Sequence, residues 1–190
     1  MTSHIEPNAA LVVIDVQTGF DDPYWGRRGN PAAEENIGRL ISAWTATGRP
    51  IVRVRHESRS PGSPLAPGAP GQAFKPVVAD LVPALDVVKS VHSSFHGSPD
   101  LHAWLTGAGV RQVVICGIQT NRCCETTARL AGDLGYDMLY ALDATYTFDE
   151  GGLTAEQIMA VTAVNLDGHF GRVLTTDDLL SRSGELEPAL

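Results

Sequence analysis

The chain has 190 residues, of which 43% are hydrophobic and 19% charged, and its formal net charge is −8. Such a composition can bury a full core and excludes a disordered chain. The negative balance argues against charge-driven binding to nucleic acid or to an anionic membrane.

Residues 9–14 form an apolar run that stops at Asp15. Runs that are apolar throughout suit strands covered on both faces. Asn30 can cap the next segment, Pro31 fits a first helical position and Gly48 ends it. A second strand-like run covers 50–55. It is followed by 57–71, rich in Pro, Gly and Ser, which reads either as a surface loop or as a lid or subunit contact at a pocket rim. A short third strand, 86–89, ends at Lys89. Ser98-Pro99 opens a helical segment with Leu101, Trp104 and Leu105 on one face. The fourth strand is 112–116, and a helical pattern over 121–134 stops before Gly135. Cys124, Ala128, Ala131 and Leu134 share a face of that helix, which predicts their burial. A fifth strand covers 136–142. Thr154 with Gln157 makes a capping-box pattern for a helix that runs to Gly171. A weak sixth strand lies at 172–175, and 184–190 reads as a frayed tail.

Strand and helix alternate, so the expected fold class is α/β. The architecture is a three-layer α/β/α Rossmann-like fold with a mainly parallel sheet of about six strands, in one domain over 1–190. No apolar run is long enough to span a membrane, and the start carries no basic-then-apolar leader, so a cytoplasmic location is expected.

The cysteines are Cys116, Cys123 and Cys124. An odd, clustered set without a CxxC pair is a poor disulfide or metal framework. Cys116, inside a strand, reads as a small buried hydrophobe. Cys123 falls in the first turn of a helix, where unpaired N–H groups and the dipole favour a thiolate. Basic residues are lopsided: 12 arginines against two lysines, Lys75 and Lys89. Only a lysine can shift its pKa usefully, which draws attention to Lys89. Ligands of an open parallel sheet sit beyond the carboxyl ends of its strands. Asp15, Lys89 and Cys123 all fall at such ends. Singly, each has an ordinary reading as a turn cap, a solvated strand end or a packing residue. On one rim they make a nucleophile with its base and its counter-charge.

These residues carry a resemblance. From Ala10-Leu11-Val12-Val13-Ile14-Asp15-Val16-Gln17 to the last helix, the chain resembles the isochorismatase-like cysteine hydrolase superfamily. The most specific segment is Gly117-Ile118-Gln119-Thr120-Asn121-Arg122-Cys123-Cys124-Glu125-Thr126-Thr127-Ala128, followed by Gly135-Tyr136 and Asp143-Ala144. Lys89 with Ser94-Phe95 and Leu101 matches the lysine segment. The resemblance implies a catalytic triad of Asp15, Lys89 and Cys123 and a cis peptide at Ile118-Gln119. It also implies an oxyanion hole from the Gln119 and Cys123 amides, and a homo-oligomer, dimer or tetramer. Nicotinamidase-type relatives carry an Asp-x-His…His metal cluster after strand two. Here Arg53-Val54-Arg55-His56-Glu57-Ser58 stands instead, with a single histidine, so no metal and no other cofactor are expected. The likeness is to the general hydrolase branch.

Residues beside the triad supply the expected pocket for a small-molecule substrate: Gln17, Phe20, Trp25, His56 and Phe95, with Tyr24 and His92 nearby. Phe20, Trp25 and Phe95 would form an apolar wall for a small, flat molecule. The expected reaction is hydrolysis of a C–N bond in a small amide, ureide or lactam through a thioester. Isochorismate-cleaving members lack the cysteine and open a vinyl ether by acid chemistry, which is the alternative reading here. Another is a binding protein of the same fold without turnover. No GxGxxG follows strand one, which argues against a dinucleotide site.

Overall fold

In a computed structural model that describes residues 4–183, six strands form one all-parallel sheet. They are β1 (Ala10–Ile14), β2 (Ile51–His56), β3 (Leu85–Lys89), β4 (Gln112–Ile118), β5 (Asp137–Tyr146) and β6 (Arg172–Leu174). The expected tail at 184–190 lies outside the described residues. The helices are α1 (Ala33–Ala46), α2 (Pro76–Ala79), α3 (Leu101–Gly107), α4 (Glu125–Asp133), α5 (Ala155–Leu166) and α6 (Thr176–Ser183). None of the described helices is long and apolar enough to cross a membrane.

Alternation along the buried strands builds two cores. Leu11 and Val13 of β1 pack with Ile37, Leu40 and Trp44 of α1, Val78 of α2 and Leu179 of α6. Ala10, Val12 and Ile14 face the other way, against Leu101 and Leu105 of α3, Ala128 and Ala131 of α4 and Leu166 of α5. The result is a three-layer α/β/α sandwich, with strands hydrophobic on both faces because helices cover both.

The strand order is β3-β2-β1-β4-β5-β6. Connections run one way from β1 to β2 and β3, and the other way from β4 to β5 and β6. The reversal between β1 and β4 opens a crevice at their carboxyl ends, where such folds hold ligands. Close contact there rests on Gly117. Its φ is +128°, and a Cβ at this position would lie inside the van der Waals shell of the Ile14 carbonyl oxygen. Gly117→Ala should therefore destabilise the fold by about 2–4 kcal/mol, from overpacking and an unfavourable φ together. Urea denaturation measures this; an unchanged midpoint would show that β1 and β4 can separate at no cost.

Several boundaries differ from expectation. The fifth strand extends to Tyr146, because its pairing with β4 jumps register between Ile115 and Gly117. Asn30 caps no helix: its φ is +44°, and its side-chain amide donates to the carbonyls of Asp143 (2.9 Å) and Thr145 (2.6 Å), holding the irregular part of β5. Ser98-Pro99 is a cis peptide, and α3 is instead capped by Asp100, whose carboxylate accepts from the Ala103 N–H at 3.0 Å. The capping box of Thr154 and Gln157 is present, but α5 ends at Leu166 rather than near Gly171. Cys124, Ala128 and Ala131 are buried as expected, whereas Leu134, the last of that face, is 40% exposed.

Candidate active site

Asp15 leaves β1 in the left-handed region, at φ +53°, where Asp and Asn are the best-tolerated residues after glycine. The turn is fixed by its own N–H donating to Val54 O (2.9 Å) and by Gln17 N–H donating to Asp15 O (2.8 Å). Lys89 ends β3, two strands away. Its Nζ reaches Asp15 Oδ2 at 2.5 Å, with both side chains fully excluded from solvent. The other carboxylate oxygen, Asp15 Oδ1, is buried with no hydrogen-bond partner among the described residues.

Cys123 lies in a single π-type turn, Thr120–Cys124, that runs from the end of β4 into α4. It therefore precedes the first turn of the α-helix rather than sitting within it. Such turns recur at functional sites. Tyr140 OH donates to Thr120 O (2.8 Å), and Thr127 Oγ1 donates to Cys123 O (2.7 Å), so the turn is held from two sides. The Ile118-Gln119 peptide that precedes it is cis.

Asp15, His56 and Cys123 each bring one ligand-type atom within 4.8 Å of the others. Lys89 Nζ also lies 3.2 Å from His56 Nδ1, and His92 Nδ1 lies 3.6 Å from Cys123 Sγ. The three donors are more than the sequence alone suggested could meet a cation. An ammonium, however, already bonds the carboxylate and the imidazole from between them.

Electrostatics reverse one expectation. Burial, reinforced by the Asp15 carboxylate, pushes the Cys123 thiol up to about 12, against the opposing pull of Lys89. At neutral pH the resting sulfur is a thiol and not the thiolate that a helix terminus would favour. Burial alone would push the Lys89 ammonium down, but Asp15 and Cys123 outweigh it and hold it above its ordinary value. Burial and the nearby Lys89 lower both His56 and His92, so both imidazoles are neutral at pH 7. Alkylation of Cys123 by iodoacetamide should accordingly be slow at pH 7 and keep rising past pH 9. A plateau near pH 6 would restore the preformed thiolate.

A cavity of about 410 Å3 opens over the sulfur. Cys123, Gln119, His56, Phe20 and Trp25 line it, as do Tyr24 and His92. Trp25 stacks with Phe148 (5.7 Å between centroids), packs on Phe20 (5.1 Å) and donates its indole N–H to Gly19 O (2.8 Å). Two expected pocket residues point elsewhere. Gln17 is wholly buried and braces the end of β2: its amide donates to His56 O (3.2 Å) and accepts from His56 N–H (2.8 Å). Phe95 stacks on Tyr136 at 5.9 Å and is not among the residues lining the cavity.

The segment 57–71 is neither slack nor remote. Ser58 N–H donates to Leu65 O (2.9 Å), Gln72 Nε2 donates to His56 O (3.1 Å) and to Leu65 O, and Leu65 is 3% exposed. Residues 58–63 form one wall of the cavity. Among them is Arg59, and from the turn that carries Cys123 comes Arg122; neither was expected from the sequence as a pocket residue. The signal for Arg59 was available, since it stands in the one irregular segment that follows a strand's carboxyl end.

The sequence model of the isochorismatase domain matches residues 9–178. The chain is similar to YrdC, an isochorismatase family protein of Bacillus subtilis, with 35% identity over 182 residues, 93% of this chain and 97% of the relative. It is also similar to nicotinamidase 3 of Arabidopsis thaliana, with 30% identity over 190 residues, covering 92% and 89%. Among solved structures, an isochorismatase-family protein from Chromobacterium violaceum superposes with a TM-score of 0.90 at 34% identity, covering 98% of this chain and all of that one (100%).

Proposed function

The chain belongs to the isochorismatase family of hydrolases, and from that premise we propose that it cleaves a C–N bond of a small amide, ureide or lactam through a thioester on Cys123. The observation that carries this reading is a thiol that lines the cavity, with a buried carboxylate that has a free oxygen and its paired ammonium beneath it. The nicotinamidase among its relatives supports amide chemistry.

In the proposed sequence, Asp15 takes the Cys123 proton as the sulfur adds to the substrate carbonyl carbon. The thiol need not ionise beforehand, because proton loss accompanies attack. The amides of Gln119 and Cys123 receive the developing oxyanion. The C–N bond then breaks, and the amine leaves with the proton held by Asp15. Water enters, gives a proton to the same carboxylate and adds to the thioester. Collapse breaks the C–S bond, frees the acid and returns the proton to sulfur. Lys89 offsets the negative charge that Asp15 and the sulfur would otherwise share. Phe20 and Trp25 flank the substrate, and His56 packs against Lys89. No metal enters this scheme, and the protein acts as a homo-oligomer on a small molecule in the cytoplasm.

Hydrolysis of small amides, ureides, lactams and an enol ether should be measured, by ammonia release for primary amides and by mass of the product for the others, before and after dialysis against EDTA, with acid-quench mass spectrometry of the enzyme. The expected result is a hit that survives chelation and a quenched protein heavier by the acyl group. Turnover with no adduct at any time point, on an enol ether and not on an amide, would favour vinyl-ether hydrolysis with Asp15 as the acid. Loss of activity on chelation, restored by a divalent ion, would place a metal in the site after all.

A further inference from the structure

The charge around the cavity does not match the charge of the chain. The protein carries −8 overall, yet no aspartate or glutamate is among the described residues lining the cavity, while two arginines are. The basic groups there are not equivalent. Lys89, beneath the floor, is committed to Asp15. Arg122 is tied to Glu150. Both histidines are neutral at pH 7. The one nearby acid on the same segment, Glu57, pairs with Arg55 at 3.5 Å. Arg59 alone has no ion pair or hydrogen bond among the described residues.

Arg59 is exposed, but the backbone turn that carries it is braced. Ser60 N–H donates to Ser58 Oγ (3.2 Å) and Ser63 N–H to Ser60 O (3.2 Å), so the turn that carries Arg59 is closed on itself. The turn is anchored by buried Leu65 and by the close approach of Gly71 to Gly19 and Pro64. A guanidinium carried on a braced turn at the rim of a cavity with no acidic lining residue is suited to a carboxylate, which it can bind through two parallel hydrogen bonds.

We propose that Arg59 binds a carboxylate of the substrate, so that the molecule cleaved is a small acid amide: the amide carbonyl faces Cys123 and the anion faces Arg59. This rests on the cysteine-hydrolase reading for the reaction, but the anion site itself does not.

The test pairs malonamate, succinamate and glutaramate with neutral amides of equal length, for the wild type, Arg59→Gln and Arg59→Lys. Binding of malonate, succinate and glutarate is followed by calorimetry in parallel. The expected result is a kcat/KM for one acid amide roughly ten- to hundred-fold above its neutral counterpart, as a charged hydrogen bond contributes. Arg59→Gln should lose that preference through KM, and Arg59→Lys should keep part of it. Hydrolysis of both series alike, unchanged by Arg59→Gln, overturns the anion site and leaves the hydrolase reading. Diacid binding that depends on Arg59, with no amide hydrolysed, keeps the anion site and removes the hydrolase reading. Should no diacid bind, or should binding be the same in Arg59→Gln, the anion site is refuted.

Discussion

Cys123→Ala is expected to lower turnover by about 10^4-fold or more, since removing a covalent nucleophile disables every later step. The fold should persist. Cys123 is 6% exposed and packs at the edge of the core shared by α3, α4 and the sheet, and alanine removes one sulfur from a site that already borders a cavity. Circular dichroism and the thermal midpoint, compared with the wild type, check this. Cys124→Ala is the matched control. Cys124 is fully buried and burial pushes its thiol well up, so that variant should lose stability, by about 1–2 kcal/mol for a small cavity, while keeping turnover. A Cys123→Ala protein that still hydrolyses substrate, or a Cys124→Ala protein that does not, would move the nucleophile or remove it from the mechanism. The two cysteines are adjacent in sequence, yet the π-type turn sends one to the cavity and the other into the core, so the pair separates chemistry from packing.

How much of this was legible beforehand depended on whether a signal was local. Strand cores were, because a chain buried on both faces must be apolar without interruption, as at Ala10–Ile14 and over 113–116; the fourth strand was expected to end at 116 and runs on to Ile118. The capping box of Thr154 was, because both of its hydrogen bonds close within three residues. The meeting of Asp15, Lys89 and Cys123 was inferred from strand ends, and the family resemblance narrowed it further. Side-chain direction was not legible. Gln17 and Phe95 follow Asp15 and Lys89 in sequence, but Gln17 turns to the β2 edge and Phe95 to Tyr136, because neighbours from distant segments satisfy them there. Nor was the state of the sulfur. A helix terminus is a local feature that lowers a thiol's pKa, whereas desolvation sums over everything that covers it, and here it wins. Asn30 and Ser98-Pro99 looked like helix starts because cap-forming residues are also turn-formers; only the carbonyls of β5 explain what Asn30 bonds. The lysines repay the attention their scarcity drew: both are buried and ion-paired, Lys89 with Asp15 and Lys75 with Asp21 and with Glu34 at 3.0 Å.

Breaking the Asp15–Lys89 pair should cost both activity and stability, and the two losses can be told apart. Asp15→Asn removes the base and should lower turnover by about 10^2–10^4-fold. It also leaves a fully enclosed ammonium unpaired, which destabilises a protein by about 3–5 kcal/mol. Lys89→Met leaves the carboxylate unpaired and should cost a similar amount. The double variant Asp15→Asn/Lys89→Met carries no buried charge and should recover most of the lost stability while staying inactive. Urea denaturation of the four proteins gives the coupling directly; single-variant losses that simply add would mean the charges do not interact. The variants also separate the causes acting on the sulfur. Without the Asp15 charge one influence that raises the Cys123 thiol is gone, so Asp15→Asn should be alkylated faster than the wild type at any given pH, even as turnover falls. Linkage fixes the pH range for stability. Lys89 is held above its ordinary 10.5 in the fold, so the pair's contribution is complete below 10.5 and is lost as pH rises from there through the raised value. Cys123, raised from 9.0 to about 12, acts in the same direction. Between those values the unfolded chain gives up the thiol proton while the fold retains it, and stability falls with rising pH. The wild type should therefore lose stability from about pH 9 upward, and Cys123→Ala should lose less over that interval. An equal decline in both proteins would show that the sulfur is not held as a buried thiol.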